Sequence, residues 1–302
     1  MSASRRPAGP PLRIRLGRWT GLLVRQTVIV ALIAIVLFPF LWMIVTSLTP
    51  VSEVFAWPPR LVPSSVQWEN YAEAAERYNF WRSFWNSLVV AVVATVSIII
   101  VDSLAGYAFA KLPFPGVEAI YASVLVTVMI PMQITMIPLF IMFKHVPLAG
   151  GNDILGAGGR GLVDSYAGMI VPWMASTFGT MLMREYFRML PRDLIDAARL
   201  DGLNEFRIFL YIYFPLARPA VASVALLTFT EVWNTFLWPL IITSSTRMRT
   251  VQVEMASIKD QYFTDWHLLM ALTAMSCLPV LIVYFLGQKH FTRGIAFTGI
   301  KG

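Results

Sequence analysis

Few side chains in this 302-residue sequence are placed to do chemistry. His145, His267 and His290 lie far apart, without the His-Glu-x-x-His or Cys-x-x-Cys spacing of a metal site, and the single cysteine, Cys277, has no disulfide partner within the chain. No Gly-x-x-x-x-Gly-Lys-Ser/Thr run occurs, so any nucleotide chemistry has to reside on another polypeptide. The stretch Gly150-Gly151-Asn152-Asp153 through Gly161 lacks the alternating acids and closing Glu of a calcium loop and reads as a flexible surface loop. Two acids in apolar surroundings, Asp102 and Glu231, remain, with one charged run, Arg184 to Gly202. An ionisable group in a bilayer is costly and faces a cavity or a partner, where it relays ions, bonds a solute or bridges helices.

These residues sit in a chain that is only 14% charged, against roughly 25% in a soluble domain. A bilayer core needs roughly 20 apolar residues per helical crossing. Six stretches qualify, near 26–48, 84–108, 119–143, 166–183, 219–243 and 267–287. The fold class expected is an all-α membrane protein with six transmembrane helices. The first run, Thr27 to Thr46, is too long for a signal-peptide core and reads as an uncleaved span. Asp102 and Glu231 are the acids within these spans.

A net charge of +7 raises the possibility of nucleic acid, but the basic residues cluster beside helix ends, as in Arg5, Arg6, Arg13, Arg15, Arg18 and Arg25. With six crossings the segments sharing a side with the termini hold 16 Lys and Arg, and the opposite set holds 8. The positive-inside rule places both termini in the cytoplasm. The chain divides into a basic head (1–25), a membrane domain (26–287) and a C-terminal tail (288–302). The segment 49–83, with a short amphipathic run from Trp68 to Tyr78, then lies outside.

The charged run is too polar to cross a bilayer yet is ordered in pattern. Pro191 suits a helix start, Asp193 suits the first turn, where a carboxylate meets the helix dipole, and Gly202 is a natural stop. Asn204 then caps a second helix along which Phe206, Phe209, Leu210 and Tyr213 recur until Pro215. Small Ala197 and Ala198 let the short helix approach a partner's cleft, with its acids and Arg199 available for pairing.

The spacing Asp196-Ala197-Ala198, three residues, Gly202, nine residues, Ile212-Tyr213-Phe214-Pro215 resembles the EAA loop of ABC-importer permeases. That pattern is Glu-Ala-Ala, three residues, Gly, nine residues, Ile-x-Leu-Pro, so Asp196 replaces Glu and Phe214 replaces Leu. The rest of the chain is similar to the carbohydrate-importer permeases of the maltose-transporter G type. The matching pieces are Trp85-Asn86-Ser87, Gly106-Tyr107-Ala108-Phe109-Ala110-Lys111, Phe114-Pro115-Gly116, Ile130-Pro131-Met132-Gln133, Trp233-Asn234 and the tail Gly299-Ile300-Lys301-Gly302.

The resemblance implies a bacterial inner-membrane subunit with no catalytic role and no bound cofactor. ATP and Mg would be held by a dimer of cytoplasmic ATPase subunits, with a second permease and a solute-binding protein or lipoprotein as further partners. Leu194, Ile195, Asp196, Ala197, Ala198, Arg199, Asp201 and Gly202 would couple to the ATPase from the loop 184–218. Arg247, Met248, Arg249 and Thr250, in the loop Ser244 to Asp265, would meet the binding protein. Met132, Gln133, Glu231, Trp233 and Asn234 are candidates for the solute pathway, aromatic faces stacking on a sugar while amide and carboxylate bond its hydroxyls. Glu231 reads equally as interhelical glue, and glue is preferred for Asp102. The C-terminal tail is a second candidate contact or a frayed end. A rival class is an ion-coupled secondary transporter with Asp102 or Glu231 as relay.

Overall fold

The computed structural model describes the backbone of residues 12–258 and 264–298, with side chains from 22 to 258 and from 264 to 289. Among the described residues every regular element is helical. Helix α1 (Leu12–Ser47) is a run of Val, Ile and Leu whose part from Leu22 on is exposed on all sides until its last turns, as suits contact with lipid tails. Its final carbonyls are satisfied from outside the helix. Asn70 Nδ2 donates to the Ser47 and Thr49 carbonyls at 2.9 and 3.2 Å. Asn70 belongs to α2 (Glu69–Arg77), the amphipathic run expected here, which buries Ala74 and Ala75 toward the last long helix.

Helix α3 (Phe80–Lys111) runs unbroken for 32 residues and contains no proline. A turn through Gly116 (φ +78°) leads to α4 (Val117–Val126) and a 3-10 turn, Thr127–Met129. Proline disfavours helical backbone in the residue before it. Ile130 is accordingly extended ahead of Pro131, and the chain bends by 101° into α5 (Met132–Lys144).

The glycine-rich loop that follows is a built structure rather than the flexible one expected. Asn152 is buried, donates to the Lys144 and Val146 carbonyls and accepts from Gly159 N–H. Gly150, Gly156 and Gly161 have positive φ and press on the Gly161, His145 and Phe143 carbonyls, leaving no room for a Cβ. Backbone N–H donors, that of Ala157 foremost, hold the Asp153 carboxyl below its usual range.

Helix α6 (Tyr166–Ile170) and a 3-10 turn containing Pro172 precede α7 (Thr177–Met189), capped by Ser176. Next come α8 (Asp193–Leu200), α9 (Glu205–Ile208), a π turn over Phe209–Tyr213 and α10 (Phe214–Leu216). A 77° bend then enters α11 (Arg218–Asn234). Thr235, extended, separates it from α12 (Leu237–Ile242). A 3-10 turn at Thr246–Met248, α13 (Val251–Ser257) and α14 (Trp266–Thr298) complete the chain.

Length and apolarity support fewer helical spans than the six expected. Among the described residues three helices are long and apolar enough to cross a membrane, with apolar stretches Leu22–Ser47, Phe80–Lys111 and Trp266–Lys289, or up to five if each bent pair counts as one. The stretch 119–143 is the pair bent at Pro131, 166–183 is interrupted at Pro172 and Ser176, and 219–243 breaks at Thr235. Pro131, Pro172 and the Ser176 cap account for the first two of these breaks, which average apolarity conceals.

Helix α3 is the centre of the packing, with α7 and α11 against it and α14 against α11, α1 and α2. Its fit to α7 is close: a Cβ on Gly106 would stand 2.7 Å from Met183 Cβ, and one on Gly179 would strike the Asp102 carboxylate. Asp102 is fully buried and accepts from Ser176 N–H at 3.1 Å and the Thr180 hydroxyl at 3.2 Å. This carboxylate at the α7 N-terminus meets the positive end of its dipole, so Asp102 bridges helices, the reading preferred from sequence. Overpacking a tight contact costs about 1–3 kcal/mol, and each kcal/mol moves Tm by roughly 2–4 °C in chains of this size. Gly106→Leu is expected to lower the Tm of the detergent-purified protein by about 5 °C; an unchanged melting curve would refute the close approach.

Candidate functional site

The charged run folds into a hairpin that closes one end of the helix bundle. Two side chains hold its beginning: Lys111 Nζ, from the last turn of α3, donates to the Leu190 carbonyl at 2.6 Å, and Tyr213 Oη donates to the Pro191 carbonyl at 2.8 Å. The ammonium of Lys111 also lies 5.3 Å from the centre of the Tyr213 ring, within cation–π range. Helix α8 then starts with Asp193 and Asp196 in its first turn, complementing the dipole as expected.

Its end is a Schellman motif. Gly202 has φ +79°, Leu203 N–H reaches the Ala198 carbonyl and Gly202 N–H reaches the Arg199 carbonyl, both at 3.0 Å. Asn204 Oδ1 accepts from Arg207 N–H at 2.9 Å, the cap read from the sequence. The Arg199 guanidinium contacts Glu205 at 2.6 Å, and the same carboxylate accepts from Tyr107 Oη of α3 at 3.1 Å. The turn between α8 and α9 is thereby tied to α3.

Burial divides α8 into two faces. Ile195 and Ala198 are buried with Phe187, Ile208, Phe209 and Tyr213, and Leu194 packs on their rim. Asp196, Ala197, Asp201 and Gly202 are exposed, Arg199 is half-exposed in its side chain, and Leu200 is 90% exposed. The sequence reading placed Ala197 and Ala198 together on a partner-facing surface. The structure parts them, because a 100° step between neighbours turns Ala198 inward. Leu200 went unnoticed, although a leucine in the last turn of so charged a helix is a signal of contact.

The following helix departs from its expected face. Phe206 and Leu210 are exposed, while Ile208, Phe209 and Tyr213 are buried. Phe209 and Tyr213, the two ends of the π turn, keep the expected buried face.

The candidate pathway residues do not form one site. Trp233 is buried in the core, stacked on Phe229 with ring centres 5.9 Å apart, and its indole N–H donates to the Ser276 carbonyl. Trp238 is likewise core, donating to the Gly168 carbonyl. Glu231 and Asn234 share the opposite, exposed face of α11. Asn234 donates to the Thr230 carbonyl and accepts from Gln252. Among the described residues Glu231 makes no ion pair or hydrogen bond, and it lines an open cavity of about 700 Å³ with Phe178, Thr230, Leu281 and Tyr284. Met132 is half-buried and Gln133 exposed, directly after the 101° bend.

At the opposite end of α3, Asn86 is fully buried and fully bonded. Its Nδ2 donates to the Arg247 and Arg249 carbonyls at 2.9 and 2.8 Å, and its Oδ1 accepts from Tyr166 Oη at 2.7 Å. Ser87 Oγ accepts from Val251 N–H, and Asp164 accepts from the Ser244 and Ser245 N–H groups. This fastening exposes the Arg247 side chain, half-buries Met248 and Arg249 and buries Thr250. Of the expected contact residues, Thr250 therefore has no open surface. Residues 259–263 of this loop, Arg5 and Arg6, and Gly299–Gly302 of the tail lie outside the described residues. Among the described residues no three His, Cys, Asp or Glu side chains gather to hold a metal.

Comparison with known proteins agrees with this geometry. Residues 103–297 match the family described as binding-protein-dependent transport system inner membrane component. The arabinooligosaccharides transport system permease protein AraQ of Bacillus subtilis (strain 168) is 34% identical over 271 residues, covering 88% of this chain and 91% of that protein. The lactose transport system permease protein LacG of Rhizobium radiobacter is 31% identical over 259 residues, covering 86% and 89%. The sn-glycerol-3-phosphate transport system permease protein UgpE of Rhizobium meliloti (strain 1021) is 30% identical over 287 residues, covering 91% and 96%. A chain of a bacterial ABC transporter involved in import of the acidic polysaccharide alginate shares the fold, with a TM-score of 0.77, 24% identity and coverage of 95% of this chain and all of that one. A family match across most of the chain, with relatives aligned nearly end to end, makes this protein a member of the binding-protein-dependent transport inner-membrane family, a permease subunit of an ABC importer.

Proposed function

We propose that this chain forms half of the pathway by which a sugar or sugar-like solute enters the cell, driven by ATP bound on separate subunits. The observation that carries this reading is the exposed face of α8. A helix held rigidly to the bundle on one side presents Asp196, Ala197 and Leu200 to solvent on the other. An exposed leucine among charges is an anchor for a pocket on a partner. The ATPase dimer, which holds ATP and Mg, closes on α8 and its motion turns the bundle between inward- and outward-open states. The chain itself is a transport subunit with no catalytic group.

In this arrangement the chain crosses the bacterial inner membrane six times with both termini in the cytoplasm. The crossings are α1, α3, the bent α4–α5 pair, α6–α7, α11–α12 and α14, several interrupted where they line a cavity. A second permease completes the pathway. The solute-binding protein or lipoprotein docks outside, on the loop carrying Arg247, Met248 and Arg249. Relatives whose names specify arabinooligosaccharides and lactose support a carbohydrate solute.

Affinity purification from native membranes tests the assembly. The wild-type chain is expected to bring down a second permease and an ATPase. Leu200→Glu should reduce the recovered ATPase about tenfold, equivalent to about 1.4 kcal/mol, with Tm unchanged. Ala198→Arg should instead lower Tm, since Ala198 is buried. Full ATPase recovery with Leu200→Glu would remove α8 from the interface.

Arg247→Ala should weaken capture of the binding protein roughly fivefold at low salt and less at high salt, because a rim charge acts mainly on association rate. A salt-independent change in surface-plasmon kinetics would contradict that role. For the pathway, Glu231→Gln and Gln133→Ala should raise the transport KM several-fold while assembly stays intact, and an unaltered KM would place both residues off the route.

A further inference from the structure

The outer loop and the coupling hairpin are fastened to opposite ends of a single helix. At one end Asn86, Ser87 and Arg82 of α3 bind backbone groups of the outer loop: Asn86 takes the Arg247 and Arg249 carbonyls, Ser87 takes Val251 N–H and Arg82 Nε donates to the Arg247 carbonyl at 3.1 Å. At the other end Lys111 takes the Leu190 carbonyl and Tyr107 takes Glu205. Between Asn86 and Lys111 lie 25 helical steps without a proline or a break, a span of roughly 38 Å at 1.5 Å per residue. Most of the other long segments are bent, capped or carry proline, as at Pro39, Pro138 and Pro279. Midway, Asp102 caps α7 and Gly106 seats it closely, so α7, which runs directly into Leu190 and α8, moves with α3.

A hydrogen bond from a buried side chain to a backbone carbonyl reads no particular side chain, and its effect is to fix the position of the chain it holds. Asn86 and Lys111 are both buried and make those bonds to two separate loops, one at Arg247 and Arg249 and the other at Leu190, with the ends of α3 as their common frame. We propose that α3 is the rigid link between the binding-protein side and the ATPase side, with Asn86 and Lys111 as the positioning residues that transmit movement of one loop to the other. The proposal rests on the reading of α8 as the ATPase contact and of residues 244–250 as the outer contact.

The test uses the intact complex purified with its ATPase partner. Trapping with MgATP and vanadate closes the ATPase, and hydrogen exchange of residues 244–251 is read by mass spectrometry. In the parent complex trapping should change exchange in this segment at least threefold. In Lys111→Met, and separately in Asn86→Ala, the change should vanish while vanadate still inhibits hydrolysis and Tm stays within a few degrees. Lys111→Arg, which keeps the cation, should restore at least half of the response. The same trapping-induced change in both variants as in the parent, or no change in the parent, overturns the link. Failure of the underlying reading has a different signature: Leu200→Glu would then retain the ATPase.

Discussion

A helix interrupted inside a bilayer leaves backbone donors and acceptors with no water to bind, and each such group costs several kcal/mol if left alone. This chain interrupts its helices repeatedly, at Pro131, Pro172, Ser176 and Thr235, and buried polar side chains bind backbone groups beside two of these interruptions and elsewhere in the bundle. Asp102 binds the free N–H of Ser176 at the head of α7. Asn70 covers the last carbonyls of α1, Trp238 that of Gly168 in α6, and Trp233 that of Ser276 in α14. Asp102, which looks functional in the sequence, is thus a cap. What is left over, Glu231 above all, stands out because it satisfies nothing.

The same constraint makes α3 distinctive. It needs no repair along 32 residues, so its polar side chains are free to serve its neighbours. One end holds the loop 244–251 through its backbone groups and the other holds the hairpin that carries α8. A loop held by its carbonyls keeps its side chains outward, as with Arg247, and a hairpin held at Leu190 and Pro191 projects α8 in a defined direction. Stiffness in the middle and fixed loops at the ends suit a membrane protein that changes shape as rigid bodies.

Two faces of α11 show how tertiary structure sorts residues of similar chemistry. Trp233 and Asn234 are neighbours in sequence and were read together as sugar-binding groups. A helix separates adjacent residues by about 100°, and the bundle buries one while opening the other. The aromatic payload of Trp233 goes to packing against Phe229 and Phe84. Glu231 retains access to an apolar-walled cavity, and Asn234 is exposed beside it in sequence.

The amino-acid sequence by itself determined the membrane class, the helical content, the caps at Asn204 and Gly202 and the helical hairpin built on them. Each of these follows from local rules: apolar run length, side-chain capping, glycine's freedom at φ +79° and a motif spaced along one chain segment. Tertiary structure alone decided where the spans break, which face of α8 is open, and which partners Lys111, Asn86 and Asp102 hold. Those partners lie 79, 161 and 74 residues away, and no local pattern specifies a contact across such distances.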